Sequence, residues 1–321
     1  MFTVNAKLSN SFTARFNCLN INLMKNTEFP EHGAVVHWKI GGILRVVGAD
    51  AAIFLQGQFT NDIRGLAPGL SVYGLWLNQK GKVLADGFVL AGPGPSEFWV
   101  VSYFSSGDEL RQRLEAYIIA DDVTVEDQTA EWEGVTLFGA GAGDWIASKR
   151  RPGLIFPGRR TRDENWDWVF RKDDAPAVVA LLSNVRTMEG PELERLRIRS
   201  GIPAVPADLG PGDLPAEGGL EVEAISYLKG CYLGQEVMAR LKAMGQVRRR
   251  LVRVCGKGVP PPVPAKLTQG SKPVGELRSV VRNGSEFLGL AMISLLNVQK
   301  DQPLVIENQP ALSLEIVAET P

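Results

Sequence analysis

Ile225-Ser226-Tyr227-Leu228-Lys229-Gly230-Cys231-Tyr232-Leu233-Gly234-Gln235-Glu236 stands apart in this chain for the chemistry its residue types allow. A lysine and a cysteine lie two positions apart, and on an extended backbone such positions project to one face. A neighbouring ammonium favours a thiolate, the form in which cysteine acts as nucleophile or metal ligand. Gly230 and Gly234 allow a sharp turn or a close approach to a ligand. Residues 235–243 have helical composition, which puts Lys229–Gly234 at a helix N-terminus, where partial positive charge helps anions and thiolates. Against this stands the ordinary fate of a lone cysteine, which is to be buried and pack.

The rest of the chain sets limits on that chemistry. A length of 321 residues implies two or three domains or one large one. The formal net charge of −1 gives no broad polyanion-binding surface, so no DNA partner is expected. The three cysteines, Cys18, Cys231 and Cys255, form no CxxC pair, which argues against a disulfide framework or zinc ribbon. The two histidines, His32 and His37, have no cysteine nearby, so no metal site is expected. A reducing compartment follows. No apolar run of about 18 residues exists, and no membrane partner is expected. Residues 1–32 lack acid before Glu28 and carry Lys7, Arg15 and Lys25. They read as a disordered extension, as upstream of a later start at Met24, or as a transit-type presequence.

Elements that position the segment can be read from periodicity. Residues 35–38 and 43–47 read as strands about Gly41-Gly42, and 51–58 as a helix capped by Asp50. Residues 73–77 and 83–90 form a hairpin about Asn78-Gln79-Lys80-Gly81, followed by a strand at 98–103 and an amphipathic helix at 108–117. Strands at 123–126 and 135–138 continue the β pattern. A second unit holds strands at 154–156 and 166–170 and helices at 175–182 and 191–199. Residues 202–219 form a long loop. From 246 on, short strands at 251–254, 266–267, 274–277, 288–292 and 304–306 suggest a small barrel. The expected organisation is an extension over 1–32, a first α+β domain over 33–130, a second over 131–245 carrying the Lys-Gly-Cys segment, and a β-barrel over 246–321.

Lys229-Gly230-Cys231-Tyr232-Leu233-Gly234-Gln235-Glu236 resembles the signature of the YgfZ family, relatives of the glycine-cleavage T-protein. Phe54-Leu55-Gln56-Gly57-Gln58-Phe59-Thr60-Asn61-Asp62 resembles the family's first-domain helix and loop. Lys80-Gly81-Lys82 resembles its hairpin turn. Arg197-Ile198, Gly201-Ile202-Pro203, Leu214-Pro215 and Glu217 resemble its approach to the signature. The resemblance covers residues 33 to 321. It implies an α+β, three-domain GcvT-like fold around a central cavity that holds tetrahydrofolate. It also implies a role in maturing or maintaining iron–sulfur proteins, including those that modify tRNA, with iron–sulfur proteins or their assembly machinery as partners.

Under that resemblance Lys229 and Cys231 are the functional pair, and Gln56, Asn61, Asp86, Tyr232, Gln235 and Arg240 are the expected tetrahydrofolate contacts. Whether Cys231 forms a persulfide, holds iron transiently or shapes the folate site stays open. T-proteins carry an acidic pair after the hairpin glycine, of which Gly81-Lys82-Val83-Leu84-Ala85-Asp86 keeps Asp86. Their pterin-contacting glutamate matches Arg199 here, which removes an acceptor for pterin N–H groups. Aminomethyl transfer is therefore the alternative function, with Asp86 its remaining acid/base, and an accessory role in cluster assembly or repair leads. A pure binding module is the third reading. Arg248-Arg249-Arg250, with Arg240 and Lys242 upstream, reads as a solvated strand edge, RNA contact being an unsupported alternative. Gly139-Ala140-Gly141-Ala142-Gly143 reads as a loop, Trp166 and Trp168 as strand packing, and Cys255 as structural. A cytoplasmic location is expected, or a mitochondrial one if the extension is a transit peptide.

Overall fold

The computed structural model describes residues 33–94, 96–149, 152–299 and 302–319, so the expectations for residues 1–32 lie outside the described residues. The first part of the chain runs β1 Ala34–Trp38, β2 Gly42–Val47, α1 Ala51–Gln58, β3 Ser71–Leu77, β4 Val83–Ala91, β5 Glu97–Ser102, α2 Gly107–Glu115 and β6 Thr124–Asp127. There follow β7 Trp132–Phe138, α3 Ala142–Ser148, β8 Leu154–Pro157, β9 Asn165–Arg171, α4 Ala175–Leu182, β10 Arg186–Thr187, α5 Gly190–Arg199 and α6 Gln235–Met244. The tail is all β, with β11 Arg249–Lys257, β12 Ala265–Gln269, β13 Lys272–Asn283, β14 Glu286–Ser294, β15 Leu304–Ile306 and β16 Gln309–Glu319.

Two five-stranded sheets meet face to face. One has the order β3-β4-β5-β2-β6 and the other β10-β1-β7-β9-β8. Alternation along β2, β4 and β5 sends Leu44, Val46, Val89 and Val100 toward α1 and α2. It sends Ile43, Phe88, Trp99 and Val101 toward Trp132, Phe156 and Val169 of the second sheet. Helices α3 and α4 cover the far face of that second sheet through Trp145, Ile146, Val178 and Leu182. Strand β1 precedes the whole first sheet in the chain, yet it is antiparallel to β7 and parallel to β10. The second sheet thus contains the beginning of the described chain.

The barrel closes in the order β11-β14-β13-β12-β15-β16. Its core includes Val252, Leu277, Phe287, Ile293 and Leu314. Strand β16 leaves a faint pattern in the sequence because among its described side chains Leu314 alone is fully buried. It pairs with both β11 and β15 and thereby removes the open edge.

Two local expectations need correction. Asp50 precedes α1 but makes no side-chain cap to it. Its carboxylate accepts the Asp122 N–H at 2.8 Å, and Asp122 in turn accepts the Ala49 N–H, so the cap residue is spent on a cross-chain tie. The glycine-rich run 139–143 is only partly loop, because α3 starts inside it after Gly141, whose φ is +80°. Gly143 is required there: a Cβ would lie 2.3 Å from the Trp166 indole.

The long loop after α5 joins the sheets to the barrel. Its Asp213, 3% exposed, accepts from Arg278 at 2.6 Å and Arg249 at 3.0 Å, while its own carbonyl accepts the Val83 N–H. Arg249 also pairs with Glu217 at 2.8 Å. The middle arginine of the 248–250 run is therefore a clamp on buried carboxylates, not a solvated edge charge. Burial opposes ionisation of Asp213, but the Arg278 hydrogen bond and the two guanidinium charges win and hold its pKa below the usual carboxylate value. A depressed carboxyl pKa contributes stability that is complete above the unfolded value and is lost as pH falls through the folded one. Asp213→Asn is expected to cost about 2–4 kcal/mol, Arg249 being partly solvated. It should also flatten the loss of stability below about pH 4. Urea midpoints at pH 7 and in that acid range check both, and an unchanged acid limb would show that Asp213 does not govern it.

Candidate functional site

A helix ends with carbonyls that lack partners within it, and α1 carries no basic residue in its last turn to meet them. The donor arrives from the 224–235 segment. Ser226 N–H donates to Thr60 O at 3.1 Å and Leu233 N–H to Gly57 O at 3.2 Å, while Thr60 Oγ1 donates to Ala224 O at 2.6 Å. Between these ties Lys229 Nζ donates to Gln56 O at 2.7 Å, Phe59 O at 2.5 Å and Asn61 O at 2.8 Å. An ammonium has three N–H donors, and all three are used. Lys229 is 5% exposed and lies 5.2 Å from the Tyr232 ring centroid. Burial lowers its pKa to about 8, with the Asp62 charge opposing, so at neutral pH it stays predominantly charged.

Cys231 has the opposite environment: it is a free, exposed thiol. The backbone bends at Tyr227, Leu228 and Lys229, so the two-residue alternation of an extended strand does not apply, and Lys229 goes inward while Cys231 faces solvent. The ammonium expected to favour the thiolate is committed to three carbonyls instead. The segment does end at a helix N-terminus, since Gly234, at φ +87°, precedes α6. A Cβ on Gly234 would lie 2.8 Å from Asn78 O, and one on Gly81 would lie 2.8 Å from Met238 Cε. The β3–β4 turn and α6 thus interlock at two glycines and fix the base from which Cys231 projects.

The six residues expected to contact tetrahydrofolate have different surroundings. Gln56 donates to Asp62 and accepts the Ile63 N–H. Asn61 donates to Tyr73 O and Glu223 O and accepts the Asp62 N–H, so it is a structural tie. Asp86, 3% exposed, accepts the Tyr73 hydroxyl at 2.9 Å and the Ser102 and Ser105 hydroxyls at 3.4 Å each. Tyr232 is buried, Gln235 opens α6 half-buried, and Arg240 is exposed in an ion pair with Glu236. A cleft of about 1000 Å³ lies beside Trp38, Arg111 and Trp132, and one of about 390 Å³ beside Leu84, Arg113 and Pro206. None of the six lines either cleft. Tyr73, whose hydroxyl reaches Asp86, carries the Arg159 guanidinium over its ring at 4.4 Å and has Phe88 tilted against it at 5.3 Å. The residues present do not fit a bound pterin.

Other residues singled out by type fall into structural places. Arg199 is exposed and donates to Asn283 of the barrel at 2.9 Å. Cys255 is half-buried on β11, where burial pushes its thiol pKa up. Trp168 is fully buried in the second sheet's core, and Trp166 packs on Gly143. Sequence reasoning missed Arg159 and Glu223, which form a part-buried ion pair across 64 positions. The available signal was two consecutive arginines following Pro157-Gly158, too short to distinguish from a surface turn.

Residues 31–151 match the GCVT N-terminal domain, and residues 248–320 match the CAF17 C-terminal beta-barrel domain. The chain is 28% identical over 303 residues to the iron-sulfur cluster assembly factor IBA57, mitochondrial, of Mus musculus, covering 87% of this chain and 82% of that one. It is 30% identical over 273 residues to the Homo sapiens IBA57, covering 78% and 74%. The tRNA-modifying protein YgfZ of Photobacterium profundum is 25% identical over 258 residues, covering 75% and 76%. Among solved structures, the glycine cleavage system aminomethyltransferase T from Bartonella henselae superposes with a TM-score of 0.75 at 17% identity, over 89% of this chain and 85% of that one, a likeness of fold. With matching domains at both ends of the described chain and this identity over most of the human relative, the chain belongs to the family of the IBA57 and YgfZ proteins, built on the GcvT fold.

Proposed function

We propose that this protein is an accessory factor in the assembly or repair of iron–sulfur clusters, and that Cys231 is the residue through which it touches the cluster or its iron. The observation that carries this reading is the exposed thiol held on a rigid base, with Lys229 buried beneath it and Gly230 in open space. Iron–sulfur clusters take cysteine thiolates, four to a cluster. Among the described residues no group of three or more His, Cys, Asp or Glu is placed to hold a metal. Cys231 would therefore supply one ligand while a cluster-carrying protein supplies the others. Leu228, three residues earlier and 93% exposed, offers that partner an apolar contact beside the thiol. The names of the IBA57 relatives support the same role.

Iron–sulfur enzymes that act on tRNA are included among the clients proposed, in keeping with the name of the YgfZ relative. A reducing compartment, the cytoplasm in our reading, keeps Cys231 unpaired. The tetrahydrofolate implied by the fold family has no step in this proposal, because Asp86 and Tyr73 are already engaged by the chain's own side chains. The same closure leaves aminomethyl transfer without an accessible acid/base.

The test is made in the native host with this gene deleted, by assaying a [4Fe–4S] enzyme such as aconitase beside glycine-cleavage flux. The expected outcome is a fall in aconitase activity, reversed by re-expression, with glycine cleavage unchanged. A fall in glycine cleavage alone would overturn the proposal.

A further inference from the structure

Away from Cys231, a cluster of charged side chains lies where β3, β4 and the loop after β8 meet. Arg159, 8% exposed, lays its guanidinium over the Tyr73 ring and pairs with Glu223 Oε1, while Arg162 reaches the other Glu223 oxygen at 3.4 Å. Tyr73 donates to Asp86, completing a line of side chains from Glu223 to the floor of the first sheet. Burial pushes the Asp86 pKa up and the Arg159 charge opposes it. At Glu223 burial pushes the same way, but Arg159 prevails and the carboxyl is lowered. Arg159 is the buried cation that both carboxylates face.

The loop that presents it is fixed. Gly158 N–H donates to Asn165 O at 2.8 Å, Arg159 N–H to Tyr103 Oη at 2.8 Å and Arg160 N–H to Asn165 Oδ1 at 3.1 Å. A Cβ at Gly158 would stand 2.3 Å from Asn165 Oδ1. Arg160 is held between Tyr103, at 3.5 Å, and Trp38, at 4.3 Å. These ties make Arg159 a permanent occupant, not a flap.

A pterin ring offers a flat face and an edge of N–H donors. Binding it here would take a free aromatic face and a free carboxylate. Tyr73 and Asp86 are the candidates, and a planar guanidinium with the same kind of donor edge already covers the one and faces the other. Being charged, it pairs with Glu223 and offsets the Asp86 charge, as a neutral ring would not, and removing it would leave Glu223 with Arg162 alone and Asp86 with hydroxyl donors alone. We infer that Arg159 is a built-in substitute for the folate ring: it fills the site over Tyr73, beside Asp86, and this chain does not bind tetrahydrofolate.

Arg159 then acts as a positioning residue for the functional segment. Its partner Glu223 opens the stretch that runs to Cys231, and the Glu223 carbonyl is also held by Asn61 at 3.0 Å. The second sheet is thereby tied to that stretch by a side chain, with no ligand needed.

The experiment is a calorimetric titration of the full chain with 5-formyltetrahydrofolate. The unaltered protein is expected to give no saturable heat up to about 1 mM ligand. Arg159→Ala, shown to be folded by near-UV circular dichroism, is expected to gain saturable binding. Arg159→Gln, which keeps an amide donor toward Glu223, takes its place if alanine unfolds the chain. Saturable binding by the unaltered protein overturns the inference without recourse to any variant, and leaves the role of Cys231 untouched. Absence of binding in both the unaltered protein and a folded variant overturns the assignment to Arg159.

Discussion

Cys231→Ala is expected to fold as the unaltered chain does and to restore no iron–sulfur enzyme activity when expressed in the deletion strain. The thiol is exposed and a free cysteine here fills no core space, so the unfolding midpoint should move by no more than about 0.5 kcal/mol equivalent. Activity should fall to the level of the strain without the gene, because no other described side chain at this place supplies a soft ligand. Cys231→Ser keeps the shape and replaces sulfur with a harder oxygen, so it should fail equally. Cys255→Ser serves as the control and should restore activity, since that half-buried thiol sits on barrel strand β11. Aconitase activity in extracts, normalised to protein level, reads all three variants. Full restoration by Cys231→Ala would remove the cysteine from the mechanism.

Lys229→Met is expected to act in the opposite way, through stability. Methionine keeps much of the apolar stem and removes the three donors, which leaves the carbonyls of Gln56, Phe59 and Asn61 without their partner. Each buried acceptor left unmet costs about 1–3 kcal/mol, and relaxation keeps the sum below simple addition. A loss of about 3–5 kcal/mol is expected, a large share of the 5–15 kcal/mol that typically holds a domain together. Lys229→Arg should recover little of it, since a planar fork does not match three carbonyls converging on one nitrogen. Denaturant midpoints give the loss, and the alkylation rate of Cys231 should rise as its base loosens. A shift below about 0.5 kcal/mol joined to lost activity would instead assign Lys229 a chemical role.

These two expectations show how differently neighbouring residues could be read in advance. Lys229-Gly230-Cys231 is conspicuous by type and spacing, and the helix after it follows from composition. The same letters suggested an ammonium serving a thiolate. That reading failed because the lysine's partners lie across the fold, Phe59 being 170 positions away. Asp86 was likewise visible as a carboxylate in a hairpin, but its burial depends on Ser102, Ser105 and Tyr73, and its neutralising cation comes from the second sheet. Asp50 had the right type and place for a helix cap and was spent on Asp122 instead.

What the sequence by itself determined is the local grammar. Local residue pattern placed β2, β4, β5 and β9 as strands, helical spacing and composition placed α2, α4 and α5, and Gly and Pro marked the turns of a barrel. These depend on periods of two and 3.6 residues, which any short window displays. Only the tertiary structure decided which strand begins the second sheet, how the barrel closes through β16, which member of the Lys-Gly-Cys segment meets solvent, and that Arg159 lies over Tyr73. Each of these rests on hydrogen bonds, ion pairs or ring contacts between residues far apart in the chain. Their energy depends on burial and geometry that no local pattern encodes.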